Sequence, residues 1–151
     1  NDTEFAYLLN EVIAPIVTDF KPDAVFLQCG ADALREDPLA RLDLSNNAHV
    51  AAVDAPRPLA PRLIVSGGGG YNPWSVARCW TRVWGRLSGQ EEPDIVPDGA
   101  QTVLKGLDWH RKARPDPALL RTLADAPRPG PVRAETRAVA RAALARINRM
   151  I

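Results

Sequence analysis

Residues 63–74 read LIVSGGGGYNPW. A short run of aliphatic strand formers leads into Gly67, Gly68, Gly69 and Gly70, and Tyr71, Asn72, Pro73 and Trp74 follow. With no apolar–polar alternation, the run predicts a strand buried on both faces, as in a parallel sheet. Asn72 before Pro73 marks a helix start: the Asn side chain caps the first turn, and Pro at the first helical position gives up only an N–H that has no partner there. The unit is therefore strand, glycine loop, helix. Each glycine costs roughly 0.5–1 kcal/mol relative to alanine in regular structure, so something there requires bare backbone.

Three familiar glycine loops do not fit. No Gly-Lys-Ser/Thr completes a phosphate loop. The dinucleotide spacing G-x-G-x-x-G fails, because from Gly67 its last position is Asn72 and from Gly68 it is Pro73. A nucleophile elbow needs G-x-S-x-G, and Ser66 has Ile64 where the first glycine belongs. A tight turn where the helix packs on its strand remains open on local grounds.

Upstream, AVFLQCG at 24–30 is a second short apolar run, again the pattern of a buried parallel strand. Before it, apolar residues at 5, 8, 9, 12, 13, 16, 17 and 20 trace one helical face, with Asp2 or Thr3 as N-cap and Pro15 kinking or dividing the helix. Residues 30–45 read as an irregular loop, and a helix is expected from Ser45 or Asn46 to about Val53. Helix, strand, loop, helix, strand, helix is the order of an α/β fold with a parallel sheet. From Gly89 to Pro131 the chain is proline-rich and reads as irregular, with a short helical turn near 116–124. Val132, Thr136, Val139, Ala140, Ala143, Leu144, Ile147 and Ile151 then share one face of a closing helix, and Arg133, Arg137 and Arg141 line another.

The 151 residues suffice for a domain with a real core, and 46% hydrophobic with 25% charged residues is ordinary for a globular protein. No run approaches the ~18–20 apolar residues of a membrane span. The sequence opens on Asn1 rather than Met and shows no leader, so we expect a piece of a longer chain. Net charge is +1, yet residues 1–110 hold 9 Lys/Arg against 15 Asp/Glu, whereas 111–151 hold 10 against 3. A basic helix packed on or beside an acidic body is the expected arrangement; without interleaved aromatics or a nucleic-acid motif, the segment argues against nucleic-acid binding. Cys29 and Cys79 stand alone without CxxC spacing, and Cys29 ends an apolar run, which points to a reduced, buried thiol there and a cytoplasmic setting.

Ligand sites in open parallel sheets collect at the carboxyl ends of strands. One strand end here delivers QCGAD and the other SGGGGYN. FKPDAVFLQCGADALREDPLARLDLS followed by RLIVSGGGGYNPWSVARCWT resembles the histone deacetylase family in the broad sense, including bacterial acetoin-utilisation-type and acetylpolyamine deacetylases. The resemblance implies the C-terminal part of an arginase/deacetylase-like three-layer α/β fold: catalytic-domain residues at 1–90, a proline-rich extension at 91–131 and a terminal amphipathic helix at 132–151. It also implies that Asp32 is one of three protein ligands to a catalytic zinc ion and that Tyr71 donates a hydrogen bond to the scissile carbonyl. Leu39, Gly68, Gly69 and Gly70 would line the channel for an acetylated lysine or small acetylated amine.

The implied centre is incomplete in this sequence. The family's Asp-x-His block and His-His pair have no counterpart, since only His49 and His110 occur and neither has a histidine neighbour. His49 is expected to be a surface or packing residue and His110 structural. The isolated 151 residues are therefore expected to bind zinc weakly and to hydrolyse nothing. A competing reading is a non-catalytic interaction module that keeps the fold, and the oligomeric state stays open.

Overall fold

The computed structural model describes residues 1–110, 115–147 and 149. The chain opens with α1 (Asp2–Leu8), widens into a π-helical turn (Leu9–Ile13) and continues as α2 (Ala14–Phe20). Asn1, not Asp2 or Thr3, is the N-cap, because its side chain accepts from the amide of Glu4. Asp2 instead spends its carboxylate on Ser45, accepting from both its amide and its hydroxyl at 2.8 and 2.6 Å. Pro15 divides the helix as its missing N–H and ring sterics require. The backbone accommodates it by the wider π turn, in which the Ala14 amide reaches the Leu9 carbonyl.

Strand β1 (Val25–Gln28) and strand β2 (Leu63–Ser66) pair in parallel, Val25 opposite Leu63 and Gln28 opposite Ser66. Between them run the 3-10 turn Ala31–Ala33 and helix α3 (Asn46–Asp54), capped by Ser45. Helix α4 (Pro73–Ser88) follows the glycines, with the Asn72 side chain accepting from the amides of Trp74 and Ser75. It stops at Gly89, whose φ of 71° is the left-handed conformation that ends helices.

Helix α4 is the spine of the core. Trp74 at its start packs with Val96, Leu104 and Leu119; Cys79 and Val76 pack with Ala31 and Leu34; Val83 and Leu87 pack with Cys29, Val53, Leu27 and Val65. Two of its three arginines, Arg78 and Arg82, point inward rather than to water. Arg78, 2% exposed, pairs with Asp125 at 2.6 Å and donates to the carbonyls of Thr122 and Ala124. Arg82 pairs with Glu92 and donates to the side-chain oxygens of Asn46 and Asn47. Buried guanidinium groups persist only when charged and polar partners surround them. Here those partners fasten α3 and the 121–125 segment to α4.

Three expectations are corrected. The strands are not buried on both faces: Val25, Leu27, Leu63 and Val65 are partly covered, while Phe26 is 67% and Ile64 57% exposed. The described helices cover one side of this two-stranded sheet and leave the other bare. The stretch read as irregular contains α5 (Asp98–Gly106), held because Leu104 joins the Trp74 core and its carbonyl accepts from the Trp74 indole at 2.7 Å. On the closing helix, α6 (Ala134–Ile147), the expected face fails among the described residues only at Val139, which is 68% exposed, while Ala140 is buried and Thr136, Ala143, Leu144 and Ile147 are partly covered. Residues 111–114, 148, 150 and 151, including Ile151 of the expected helical face, lie outside the described residues.

The basic segment packs on the acidic body. Glu4, 5% exposed, accepts from the Arg133 guanidinium at 2.7 Å and from the Thr136 hydroxyl at 2.7 Å, and Arg137 lies over the Tyr7 ring. Arg128 bridges Glu36 and Asp43. Among the described residues no helix is long and apolar enough to cross a membrane.

Candidate active site

The parallel register sets the carboxyl ends of β1 and β2 side by side, and the pairing continues past both strands. The Cys29 amide donates to the Ser66 carbonyl at 2.8 Å and the Ala31 amide to the Gly69 carbonyl at 2.6 Å. The two loops are thereby stitched together. Asp32 sits in the 3-10 turn that follows, exposed, and among the described residues its carboxylate makes no hydrogen bond or ion pair.

The glycine run is explained by what crowds it. A Cβ at Gly69 would lie 2.6 Å from Cγ of Asp32, so only a bare α-carbon lets that carboxylate lie across the loop. Gly70 has φ +154°, which side-chain-bearing residues rarely adopt, and a Cβ there would meet Val76 at 2.6 Å. Gly68 lies 2.9 Å, by the same measure, from the α-carbon of Gly30. The loops approach as closely as backbone allows.

Tyr71 and Leu39 are presented by one buried carboxylate. Asp37, 5% exposed, accepts from the Tyr71 amide at 2.6 Å through one oxygen and from the Leu39 amide at 2.9 Å through the other. The Asn72 side-chain amide donates to the Glu36 carbonyl, pinning the start of α4 to the same segment. The Tyr71 and Leu39 side chains are left 52% and 59% exposed. Asp37 went unnoticed in the sequence. The signal was there: an Asp before Pro whose side chain accepts from the amide two residues on is an Asx turn.

Two further residues hold the Asp32 loop from behind. His49 is not at the surface: it is 6% exposed on α3, with Nε2 2.8 Å from the Gly30 carbonyl. A carbonyl only accepts, so Nε2 carries the proton. Trp80 on α4 donates its indole N–H to the Cys29 carbonyl at 2.9 Å. His110 is exposed beyond α5. Cys29 and Cys79 are free and buried. Burial raises the Cys29 thiol, and burial first, then neighbouring Cys29 and Asp125, pushes Cys79 up to about 12. Both are protonated thiols that pack rather than react.

A catalytic zinc ion needs three protein donors and an open position. Asp32, exposed and unpaired at a strand end, fits one of them. Among the described residues no group of three His, Cys, Asp or Glu side chains comes together.

Comparison with known proteins bears on this geometry. A family model described as histone deacetylase domain matches residues 1–87. Putative histone deacetylase 2 of Caenorhabditis elegans is 42% identical over 96 residues, which is 64% of this chain and 19% of that protein. Histone deacetylase 9 of Arabidopsis thaliana is 39% identical over 98 residues, 65% of this chain and 23% of that protein. The crystal structure of an HDAC homolog from Aquifex aeolicus superposes with a TM-score of 0.86 at 36% identity, over 95% of this chain and 39% of that one. An HDAC homolog complexed with SAHA gives 0.85 at 34% identity, with the same coverage. The chain thus spans about a fifth of the length of the curated relatives it matches.

Proposed function

The chain belongs to the histone deacetylase family, and from that premise we propose that it carries one wall of a zinc-dependent deacetylase centre acting on acetylated lysine or a small acetylated amine. The observation that carries the reading is the interlocking of the two loops past β1 and β2. It brings an unpaired carboxylate at Asp32 against bare backbone at Gly69, two residues before the phenol-bearing Tyr71.

In this reading Asp32 is one zinc ligand, and the remaining ligands and the proton-accepting histidines come from residues outside this chain. When bound, the ion supplies Lewis-acid polarisation of the amide carbonyl and acidification of the attacking water. Tyr71 donates its phenolic O–H to the carbonyl oxygen as that atom gains negative charge. A donor of this kind is worth about 3–4 kcal/mol in the transition state, because it is aimed beforehand at the charge that develops. Asp37 fixes the backbone from which the phenol projects, and Leu39 and Gly68–Gly70 line the path of the acyl-bearing chain. The likeness to an HDAC homolog complexed with SAHA supports the reading of this fold as one that takes a small-molecule ligand. A cytoplasmic setting accords with the two free, buried thiols.

The test is zinc analysis and turnover of an acetyl-lysine peptide by the intact protein and by the isolated 151 residues. The intact protein should bind zinc stoichiometrically and release acetate, and Asp32→Ala should lose the metal. The isolated chain should do neither. An intact protein with neither zinc nor turnover would instead favour the interaction-module reading.

A further inference from the structure

We propose that His49 and Trp80 are positioning residues that set the place of the Asp32 carboxylate; the inference rests on the ligand role given to Asp32 above. Beyond β1 the strand ladder ends, yet four backbone groups of the successive residues Cys29, Gly30 and Ala31 stay held. The Cys29 amide is bound by Ser66, the Cys29 carbonyl by the Trp80 indole, the Gly30 carbonyl by His49 and the Ala31 amide by Gly69. Two of these four partners are side chains, from two different helices, donating to successive carbonyls just before Asp32.

Asp32 has no partner of its own among the described residues, so its position is inherited from this backbone. The helices that supply the clamp are themselves cross-tied, Arg82 of α4 to Asn46 and Asn47 of α3, and Arg86 of α4 to Asp54 of α3. A displacement of either helix would therefore be felt at both carbonyls together.

His49 is a poor choice for packing alone. With Nε2 donating to Gly30, the buried Nδ1 finds no hydrogen-bond partner among the described residues, and the ring lines a largely apolar cavity of about 360 Å³ beside Leu27, Leu44 and Ala48. A leucine there would carry no unsatisfied ring nitrogen. What leucine lacks is the N–H that holds Gly30. Trp80 follows the same logic: its ring, 37% exposed, lies against Gly67 while its one donor is spent on the Cys29 carbonyl.

The experiment uses the intact protein. Zinc affinity is measured by chelator competition, kcat and KM on an acetyl-lysine peptide, and stability by urea unfolding, for wild type, His49→Leu, His49→Gln and Trp80→Phe. Outer partners of metal ligands typically carry 10–100-fold of affinity, so His49→Leu and Trp80→Phe should each weaken zinc by about that factor, whereas His49→Gln should stay within about threefold of wild type. The glutamine amide reaches about as far as imidazole Nε2 and still donates. In zinc-loaded protein kcat should fall while KM holds. Should His49→Leu fail to fold, Trp80→Phe carries the same test on a half-exposed side chain. Lower stability with unchanged zinc affinity and kcat would show mere packing and overturn the inference. A wild type that binds zinc, with variants that bind it equally well, overturns the inference alone. A wild type without zinc overturns the deacetylase reading and this inference together.

Discussion

Gly69→Ala separates stability from metal binding at a single methyl group. The added carbon would sit 2.6 Å from Cγ and 3.2 Å from Cβ of Asp32, where carbon atoms in contact rest about 3.5–4.0 Å apart. Backbone need give by only a few tenths of an ångström, because Asp32 is exposed and its carboxylate can turn aside. Leaving a preferred rotamer costs about 0.5–1.5 kcal/mol. Alanine returns about 0.4–1 kcal/mol by restricting the unfolded chain. The two nearly cancel, and the stability change should stay within about 1 kcal/mol. Zinc responds differently, since its bond to a carboxylate oxygen is about 2.0–2.2 Å long and tolerates little displacement. Turning the ligand away should weaken zinc at least ~100-fold, about 2.7 kcal/mol. Gly70→Ala is the control. Its methyl would meet Val76 at 2.6 Å and Ala31 at 3.1 Å in a backbone of φ +154°, so strain and overpacking should cost about 2–4 kcal/mol of stability. Urea unfolding and chelator competition on the intact protein read both quantities. A Gly69→Ala protein that binds zinc within about threefold of wild type, or that loses as much stability as Gly70→Ala, refutes the reasoning.

Tyr71→Phe should lower kcat on an acetyl-lysine peptide by ~10²–10³ with zinc content unchanged; equal turnover removes the phenol from the chemistry. Asp125→Ala strands the buried Arg78 guanidinium, whose pair closes at 2.6 Å, and should cost about 3–5 kcal/mol in urea unfolding, where a loss below about 1 kcal/mol would contradict the assignment. Glu4, held at a pKa of about 2 chiefly by its hydrogen bond from Arg133 and next by Thr136, lies below its ordinary 4.5. Its contribution is therefore complete above pH 4.5 and is lost as pH falls toward 2. Thermal unfolding of wild type against Glu4→Gln across that window should show a steeper loss of stability in wild type, and equal slopes would contradict the assignment.

Local chemistry explains which parts of the fold were readable. Asn72 with Pro73 and Ser45 before Asn46 are caps that act within three residues, and both helices begin where they say. Helix α5 stayed hidden because Pro93 and Pro97 precede it and its order depends on Leu104 meeting Trp74, thirty positions earlier. Asp32 and Tyr71 became visible through the family resemblance of their motifs, and the structure brings their loops together. Asp37 was legible in principle from its Asx turn with Leu39. Its bond to Tyr71, 34 residues away, was not. His49 and Trp80 reach Gly30 and Cys29 across 19 and 51 residues, and nothing in their neighbourhood in the sequence marks the contact.

The bare sheet face and the solitary ligand express one arrangement. Phe26 and Ile64 point away from the covered side of the sheet, and burying each would contribute about 1.5–3 kcal/mol, so a free surface there forfeits stability that a covering layer would recover. The backbone before Asp32 is likewise held from the covered side, by His49 of α3 and Trp80 of α4, while the Asp32 carboxylate is exposed and has no partner among the described residues. The chain matches 39% of the solved relatives it superposes on, and 95% of it is used in doing so. On the deacetylase reading, the remaining zinc ligands come from residues outside this chain, so the bare sheet face and the solitary carboxylate are both surfaces of a larger assembly of chain. On the same reading this chain contributes the two loops stitched together past β1 and β2, with one carboxylate and one phenol on them.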